Sequence, residues 1–441
     1  MYNKLKYNTF ALTKIYVKEW IIIIYTLLNM KSDKIYSLKD FELSTKMEAR
    51  VRAEEFKKYI AQMNEFGCKS YWVMANTGVG AQMEIDEFEG KTSAFIANDY
   101  LGMSQQTETI EAGIAALRKY GTGACAAQVI GGYLDIHHEL ERKIAEFTGQ
   151  EDAILFSSGF GANTGLLRAI LGKNDIAYVD SYIHTSASSG LIGTNTKHIG
   201  HNDIEYLDMV LSKNEEGYQT RLVIIDGVYS QNGDLSRLPE YIEVCRKHGA
   251  MLMVDDAHGI GVMGENGRGT VEHFGCLGQV DIITGTFSKS FGCVGGFVAA
   301  SKDLIQYLRY YADSNIFSAA ITPQVTASVL KAMELIKAHP EIRKKLWDNV
   351  HYLRNRLAEE GFDVGESESP IFPVMVRDNK KVYEISKELQ KRGIFVSGIV
   401  YPAVRTKEAR LRVSILATHE KWQLDHLVNS LNEINKLIPF K

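Results

Sequence analysis

Apolar residues recur along this chain in two rhythms. Over 38–64 they come at helical spacing among many charges (46–64 reads KMEARVRAEEFKKYIAQMN), which predicts an exposed amphipathic helix. The same spacing predicts helices over 107–119 and 134–147, the latter with Glu139, Glu141, Lys143 and Glu146 facing outward. It predicts further helices over 324–338, continuing toward 355 across Pro340, and over 382–392 and 421–437. From 153 the rhythm changes: 153–156, 176–179, 222–225, 251–254, 282–284 and 297–300 are short unbroken apolar runs. Unbroken runs predict strands covered on both faces, hence a mostly parallel α/β sheet. Strand-like pieces at 82–85 and 93–96, and later at 371–377, 394–400 and 411–416, alternate with helices on a smaller scale. The organisation expected is a leader over 1–37, an arm over 38–95, a large domain over 96–341 and a smaller C-terminal α/β domain over 342–441.

The residues just past each run are as informative as the run. The first five runs lead in turn to Ser157, Ser158, Gly159 and Phe160; to Asp180 and His184; to Asp226 and Ser230; to Asp255, Asp256 and His258; and to Thr286, Ser288 and Lys289. Open α/β sheets bind ligands beyond the carboxyl ends of their strands, so five loaded loops in register predict a site there.

Composition narrows the partners. The 441 residues are 45% hydrophobic, ample for a large core, and the net charge of −4 comes with no basic stripe, so nothing points to nucleic acid. Cys68, Cys125, Cys245, Cys276 and Cys293 show neither disulfide nor metal-ligand spacing; no metal is expected, and the usage suits a reducing cytoplasm. Residues 20–30, WIIIIYTLLNM, are strongly apolar, but a helix of that length rises roughly 16 Å, about half a bilayer core. No small-residue cleavage site comes after it at Asn29-Met30-Lys31-Ser32. The reading preferred is a dispensable leader over 1–29 with Met30 as the start; association with a membrane surface is the alternative.

The loaded loops suggest specific chemistry. Lys289, set among Ser288, Gly292, Gly295 and Gly296, is either a solvated loop lysine or an amine held beside a carbonyl cofactor. Thr286 and Ser288 favour the second, as hydroxyls fit for a phosphate. The start of the helix after Ser158 would cup the same phosphate with its backbone N–H groups. An acid just past an apolar strand needs a cationic partner; for Asp255 a protonated pyridine nitrogen would serve, with His258 near the ring's phenolate oxygen. A pair of capping aspartates with a core histidine is the plainer alternative. His184 is placed to stack on such a ring. Gly259–Gly264 fits G-x-G-x-x-G after a strand, but it runs into a turn, Glu265-Asn266-Gly267, and not a helix, so nicotinamide binding is rejected.

VDDAHGIGVMGENGRG (254–269) with GTFSKSFG (285–292) resembles the α-oxoamine synthase family, fold-type I pyridoxal-phosphate enzymes that condense an amino acid with an acyl-CoA and release CO2. NDYLGM (98–103), YGTG (120–123), ILFSSGFGAN (154–163), DGVYS (226–230) and ARLRVSILATHE (409–420) extend the resemblance over about 90–435. The resemblance implies pyridoxal phosphate as cofactor, with Lys289 as the Schiff-base lysine and Asp255 on the pyridine nitrogen. It puts His258 and Ser230 near the phenolate, His184 on the ring, and Ser158, Gly159, Phe160, Thr286 and Ser288 at the phosphate. Lys289, His184, Asp255 and His258 are the catalytic set. Ser318 is implied to reach the phosphate of a neighbouring subunit, hence a homodimer with shared sites, and Asn98 and Arg412 to hold the substrate. Departures fall mostly on the substrate side: Met74 and Ala75 where a basic residue is usual, Gln128 for arginine, Gln231 and Asn232 for methionine and an acid, and Arg405 for proline. The best match is to serine palmitoyltransferases, with 8-amino-7-oxononanoate synthases and amino-ketobutyrate ligases (glycine C-acetyltransferases) close behind. Transamination on the same fold is a remoter alternative. The acyl donor is expected to be a CoA or carrier-protein thioester. A non-catalytic pairing subunit would be expected to lack Lys289.

Overall fold

The computed structural model describes residues 36–68, 70–213 and 217–441; the apolar run 20–30 and nearly all of the expected leader lie outside the described residues. The chain divides into two compact units, one ending at Cys68 that also takes in Tyr401–Ala403, and one of Lys69–Val400 with Val404–Lys441.

In the first unit the single helix expected over 38–64 is interrupted. Two 3-10 turns, Leu38–Phe41 and Leu43–Thr45, come first, and Lys46 adopts a left-handed φ of 56°. The α-helices are Ala49–Glu55 and Lys57–Phe66. Glu48 sets the start, its carboxylate accepting the N–H groups of Arg50 (3.0 Å) and Val51 (3.2 Å). The rings of Phe41, Phe56 and Tyr59 pack together, with Phe56 at 5.2 Å from Phe41 and 5.3 Å from Tyr59.

Among its described residues the second unit holds thirteen strands: β1 (Gln82–Glu84), β2 (Lys91–Ala94), β3 (Asp152–Phe156), β4 (Ile176–Asp180), β5 (Asn195–Ile199), β6 (Arg221–Asp226), β7 (Met251–Asp255), β8 (Ile282–Thr286), β9 (Gly296–Ala300), β10 (Ile371–Met375), β11 (Ile394–Phe395), β12 (Ser397–Ile399) and β13 (Arg410–Ser414). Seven of them form the large sheet, in the order β3-β9-β8-β7-β6-β4-β5. Neighbours from β5 to β8 are parallel, while β9 runs antiparallel to both β3 and β8. The carboxyl ends of β3, β4, β6, β7 and β8 therefore share one edge, where the five loaded loops lie. Every residue of β4, β8 and β9 is buried, in keeping with their unbroken apolar runs. The pattern of apolar runs does not predict β5: its residues are mostly polar, and among them only Ile199 is buried, so this edge strand has no apolar run to announce it.

Three other expectations are corrected. The helix expected to cross Pro340 is two helices, Pro323–Ala338 and Pro340–Glu359, because His339 leaves the helical region (φ −122°, ψ 65°). A residue before proline is disfavoured in the α conformation, whereas Pro340 itself suits the first helical position. The strand expected over 394–400 splits between sheets. β11 pairs in parallel with β2, and β12 joins β13 and β10 in an antiparallel sheet. The C-terminal stretch thus completes the small sheet β1-β2-β11, begun by residues ascribed to the arm. Glu141, expected to face water, is buried on the helix Asp135–Thr148. Arg309 Nη1 lies 2.9 Å from its Oε2, Tyr133 donates to the same oxygen at 2.5 Å, and burial pushes the Glu141 carboxyl above its usual range against the pull of Arg309.

Among the described residues no helix is long and apolar enough to cross a membrane.

Candidate active site

The loops at the carboxyl edge of the large sheet enclose a cavity of about 270 Å³. Ser158, Gly159, Phe160, His184, Ser230, Asp255, His258, Thr286, Ser288 and Lys289 all line it. Asn98, Arg412 and Ser318 lie outside this lining.

One wall is made by β6, β7 and β8. Asp226 and Asp255 end neighbouring strands and are register partners, so two carboxyls sit side by side under buried surroundings. Their treatment differs. Asp255 is held as an acceptor: Asn163 donates to its Oδ2 at 2.6 Å and the Ala257 N–H to its Oδ1 at 3.1 Å. Asp226 is pushed well above the normal carboxylate range by burial, reinforced by the Asp255 charge. Lys289 faces them from the loop after β8. Burial lowers its amine to about 8, with Asp255 and Asp226 opposing the shift. Among the described residues its Nζ makes no ion pair, so the amine is available for chemistry.

The second wall is hydroxyl-rich. Ser158 caps the helix Gly159–Ile170, its Oγ accepting the Gly161 N–H at 2.9 Å. The first N–H groups of a helix have no carbonyl within it, so this end is an anion site. Thr286 Oγ1 lies 2.8 Å from Ser288 Oγ and donates to Gly295 O at 3.0 Å. A Cβ on Gly159 would meet the Thr286 Cβ at 2.9 Å, so glycine is what brings the helix start and the hydroxyl pair onto one small volume.

His184 presents its ring to the opening. Its Nδ1 lies 2.7 Å from Ser186 Oγ, and its backbone N–H donates to Asp226 Oδ1 at 3.3 Å. Burial lowers the His184 pKa; Asp255 opposes the shift and Lys289 adds to it. His258 is buried and held well below its usual pKa by burial, then by Lys289 and Arg412, so it is neutral near pH 7. Its Nδ1 lies 2.7 Å from the hydroxyl of Tyr100.

Arg412, on β13, reaches the same region from the antiparallel sheet β10-β13-β12. Its Nε donates to Ser230 O at 2.6 Å, Nη1 to Ser414 Oγ at 2.7 Å and Nη2 to Asn98 Oδ1 at 3.3 Å. All three acceptors are neutral, and no carboxylate lies within ion-pair reach among the described residues. A buried guanidinium left this way is suited to an incoming carboxylate. Ser318 Oγ lies 3.4 Å from Ser157 Oγ.

Sequence reasoning does not reach Asn163, Ser186 and Tyr100. Asn163 and Tyr100 fall inside the motifs ILFSSGFGAN and NDYLGM, so a signal is there; they escape because they are neutral and act on other side chains. The positions that depart from the family pattern sit elsewhere. Met74 is exposed, and Arg405 opens the 3-10 turn Thr406–Glu408. Asn232 accepts from Arg410, and Gln128 Oε1 lies 3.4 Å from Asn315 Nδ2. The glycine run 259–264 forms a closed turn, with Gly261 N–H donating to Gly267 O at 2.7 Å and Ile260 bridging Arg268, not the entry to a helix.

A model of the family described as aminotransferase class I and II matches residues 94–431. A serine palmitoyltransferase of Sphingobacterium spiritivorum is 43% identical over 344 residues, 78% of this chain and 86% of that protein. An 8-amino-7-oxononanoate synthase of Alkaliphilus metalliredigens is 40% identical over 342 residues, 77% of this chain and 87% of that protein. A solved serine palmitoyltransferase with pyridoxal phosphate is similar at a TM-score of 0.83 and 30% identity, covering 88% of this chain and 99% of that one. With its seven-stranded sheet, its lysine loop and these relatives, the chain belongs to the class I and II aminotransferase family, in the α-oxoamine synthase branch of fold-type I enzymes.

Proposed function

We propose that this protein is a pyridoxal-phosphate-dependent C-acyltransferase that joins an amino acid to an acyl thioester with loss of CO2. The observation that carries the reading is the convergence of Lys289, Asp255 and His184 on one cavity, beside an Arg412 with only neutral partners.

The residues fit the cofactor. Ser158, Thr286, Ser288 and the start of the helix Gly159–Ile170 would hold its phosphate, and Asp255, kept an acceptor by Asn163, would hold its ring nitrogen protonated. Bound pyridoxal phosphate supplies a carbonyl that condenses with amines and a ring that takes up the electron pair left on an amino acid's α-carbon. Lys289 Nζ would hold that carbonyl. Its amine, with a pKa lowered to about 8, would also be the base for the α-proton of a bound amino acid. Arg412 grips the carboxylate of the incoming amino acid, with Asn98 fixing one arm of its fork. His184 would cover one face of the ring, and His258 and Ser230 would attend its oxygen substituent.

Serine with a long acyl-CoA is the first choice of substrates, following the relative at 43% identity. The 40% identity to an 8-amino-7-oxononanoate synthase supports a different amino acid and acyl chain as the second reading. We further infer a homodimer in which Ser318 reaches the partner's phosphate site, and a cytoplasmic location, where CoA thioesters are available and the spacing of the five cysteines is at home.

The deciding measurement is release of CO2 that depends on acyl donor, read with product mass. Serine with palmitoyl-CoA is tried first, then glycine and alanine with short and long acyl-CoAs. A ketone that keeps its carboxylate would overturn the decarboxylating reading, and acyl-independent amino transfer would favour an aminotransferase.

A further inference from the structure

Behind the Ser230 turn, one histidine is bridged between two acids. His201 Nδ1 lies 3.1 Å from Asp180 Oδ1, and its Nε2 lies 2.5 Å from Asp234 Oδ2. A neutral imidazole has one N–H; with an anionic acceptor at each nitrogen, the ring carries both protons. Burial pulls against that charge, but hydrogen bonds and charge from Asp180 and Asp234 prevail and raise the His201 pKa to about 9. Tyr182 stacks on the ring at 4.4 Å and Tyr229 meets it edge-on at 4.4 Å.

The two acids belong to different parts of the site. Asp180 ends β4 and is immobilised: its carboxylate also accepts from Tyr182 N–H (2.8 Å), Asn202 N–H (2.8 Å) and the Tyr241 hydroxyl (3.3 Å). Asp234 closes the turn that begins at Tyr229. The Tyr229 N–H donates to Asp234 O at 3.0 Å, and the Gly233 N–H to Tyr229 O at 2.8 Å. That turn carries Ser230, whose carbonyl receives Arg412 Nε at 2.6 Å. Charged contacts and hydrogen bonds, joined through the backbone of the 229–234 turn, thus run from β4 through His201 to the Arg412 guanidinium.

We propose that His201 is a positioning residue for amino-acid binding: its doubly protonated ring clamps the 229–234 turn to β4, and the turn in turn fixes the Arg412 fork through Ser230 O. This rests on the reading of Arg412 as the carboxylate anchor. His201 itself touches neither cofactor nor substrate. Losing the clamp leaves Arg412 in place but lets its Nε acceptor wander, which costs affinity for a planar carboxylate more than for a phosphate held on the far wall.

The test uses the holoenzyme and two dissociation constants. That of the productive amino acid, L-serine first, is read from the change in cofactor absorbance. That of pyridoxal phosphate is read by titrating it back into stripped protein. Asp234→Ala removes the turn's arm of the clamp and leaves His201 on Asp180. It is expected to raise the amino-acid constant about tenfold while pyridoxal phosphate binding stays within about twofold. Asp234→Asn keeps an oxygen acceptor without the charge, and about a threefold rise is expected; it serves also if the alanine variant does not fold. Unchanged amino-acid affinity in the variants that fold, or equal weakening of both ligands, overturns the proposal. Arg412→Ala separates the two layers. If it too leaves the amino acid bound as before, the anchor reading has failed and the clamp with it. If it weakens binding more than tenfold while the Asp234 variants do not, the clamp alone has failed.

Discussion

The large sheet and the small antiparallel sheet treat their buried cations in opposite ways. At the carboxyl edge of β6 to β8, Lys289 lies in the field of two aspartates that burial has already set apart, Asp255 held as an acceptor and Asp226 driven toward its neutral form. On β13, Arg412 is buried against a carbonyl, a hydroxyl and an amide oxygen, with no acid opposite it among the described residues. Arg309 shows what a purely structural cation looks like in this protein: it sits 2.9 Å from Glu141 and 3.3 Å from Asp152. The cavity's first wall is complete as an electrostatic device before any ligand arrives. The Arg412 side, outside the cavity lining, lacks one negative charge, which is what the proposed anchor for a substrate's carboxylate requires.

Breaking the first wall should have the largest effect. Lys289→Ala removes both the cofactor's attachment and the α-proton base, and a turnover loss of roughly four orders of magnitude or more is expected, the scale of a lost catalytic nucleophile. After borohydride treatment, peptide mass spectrometry should find the reduced cofactor on Lys289 in the parent and nowhere in the variant. An adduct on another lysine would remove Lys289 from the site. Asp255→Asn comes next. The carboxamide cannot oppose a ring charge, and its NH2 must turn toward either Asn163 Nδ2 or the Ala257 N–H, both of which are donors. About a 100-fold fall in turnover is expected, roughly 2.7 kcal/mol in the barrier, with cofactor still bound. Turnover within a few-fold of the parent would deny the carboxylate its part.

How far the sequence foretells this contrast depends on the range of each interaction. Strands β3, β4, β6, β7 and β8 are legible because each is an unbroken apolar run ending in a polar or ionisable residue, a local signal. β5 is not, since an edge strand exposed on one face carries no such run. Glu141 misleads because helical periodicity sees only the helix it belongs to, whereas its partner Arg309 is 168 residues away. The residues that line the cavity are legible through their motifs. The Asp180–His201–Asp234 bridge is not, because it joins three segments that meet only when β4 and the Ser230 turn are folded together.

The antiparallel-sheet side of the comparison is sharpened by Arg412→Lys. A lysine keeps the charge but cannot span Ser230 O, Ser414 Oγ and Asn98 Oδ1 with one planar fork, so the amino acid should bind about 30-fold more weakly. The cofactor's absorbance without substrate should not move. If it does, Arg412 belongs to the first wall and the contrast between the two sheets falls.

A smaller effect is set by pH. If Lys289 is the cofactor's attachment, it would condense with the carbonyl only as the free amine. With its pKa lowered to about 8, the rate of pyridoxal phosphate uptake by stripped protein should rise about tenfold per pH unit below 8 and level off above it. The sign for stability is the same. The folded lysine gives up its proton near 8 and the unfolded one near 10.5, so the unfolded chain binds more protons between those values, and stripped protein should gain stability across that window. A plateau reached only near 10 in stopped-flow uptake would show that burial does not govern this amine.

The smallest effect expected is at the seam between the large sheet's site and the Arg412 side, Tyr100→Phe. The Tyr100 hydroxyl lies 2.7 Å from His258 Nδ1 and 3.3 Å from Asn98 Oδ1, so it joins the histidine of the large sheet to the substrate side of Arg412. Burial raises the tyrosine pKa to about 12, which keeps the hydroxyl protonated and able to donate. Its single proton goes to the shorter contact. His258, neutral through burial, then accepts at Nδ1 and carries its own proton on Nε2. In that tautomer His258 is a donor to an oxygen substituent of a bound ring. Phenylalanine removes the proton that fixes the tautomer but leaves the imidazole and its packing. Turnover should fall about threefold to fivefold, the scale of one neutral hydrogen bond, and the cofactor's absorption maximum should shift by a few nanometres at unchanged cofactor content. Nitrogen NMR of His258 in the parent should report Nε2 protonated. A ring protonated on Nδ1 in the parent would mean that Tyr100 donates to Asn98 instead, and the link between the two sheets would then run through the Arg412 side alone.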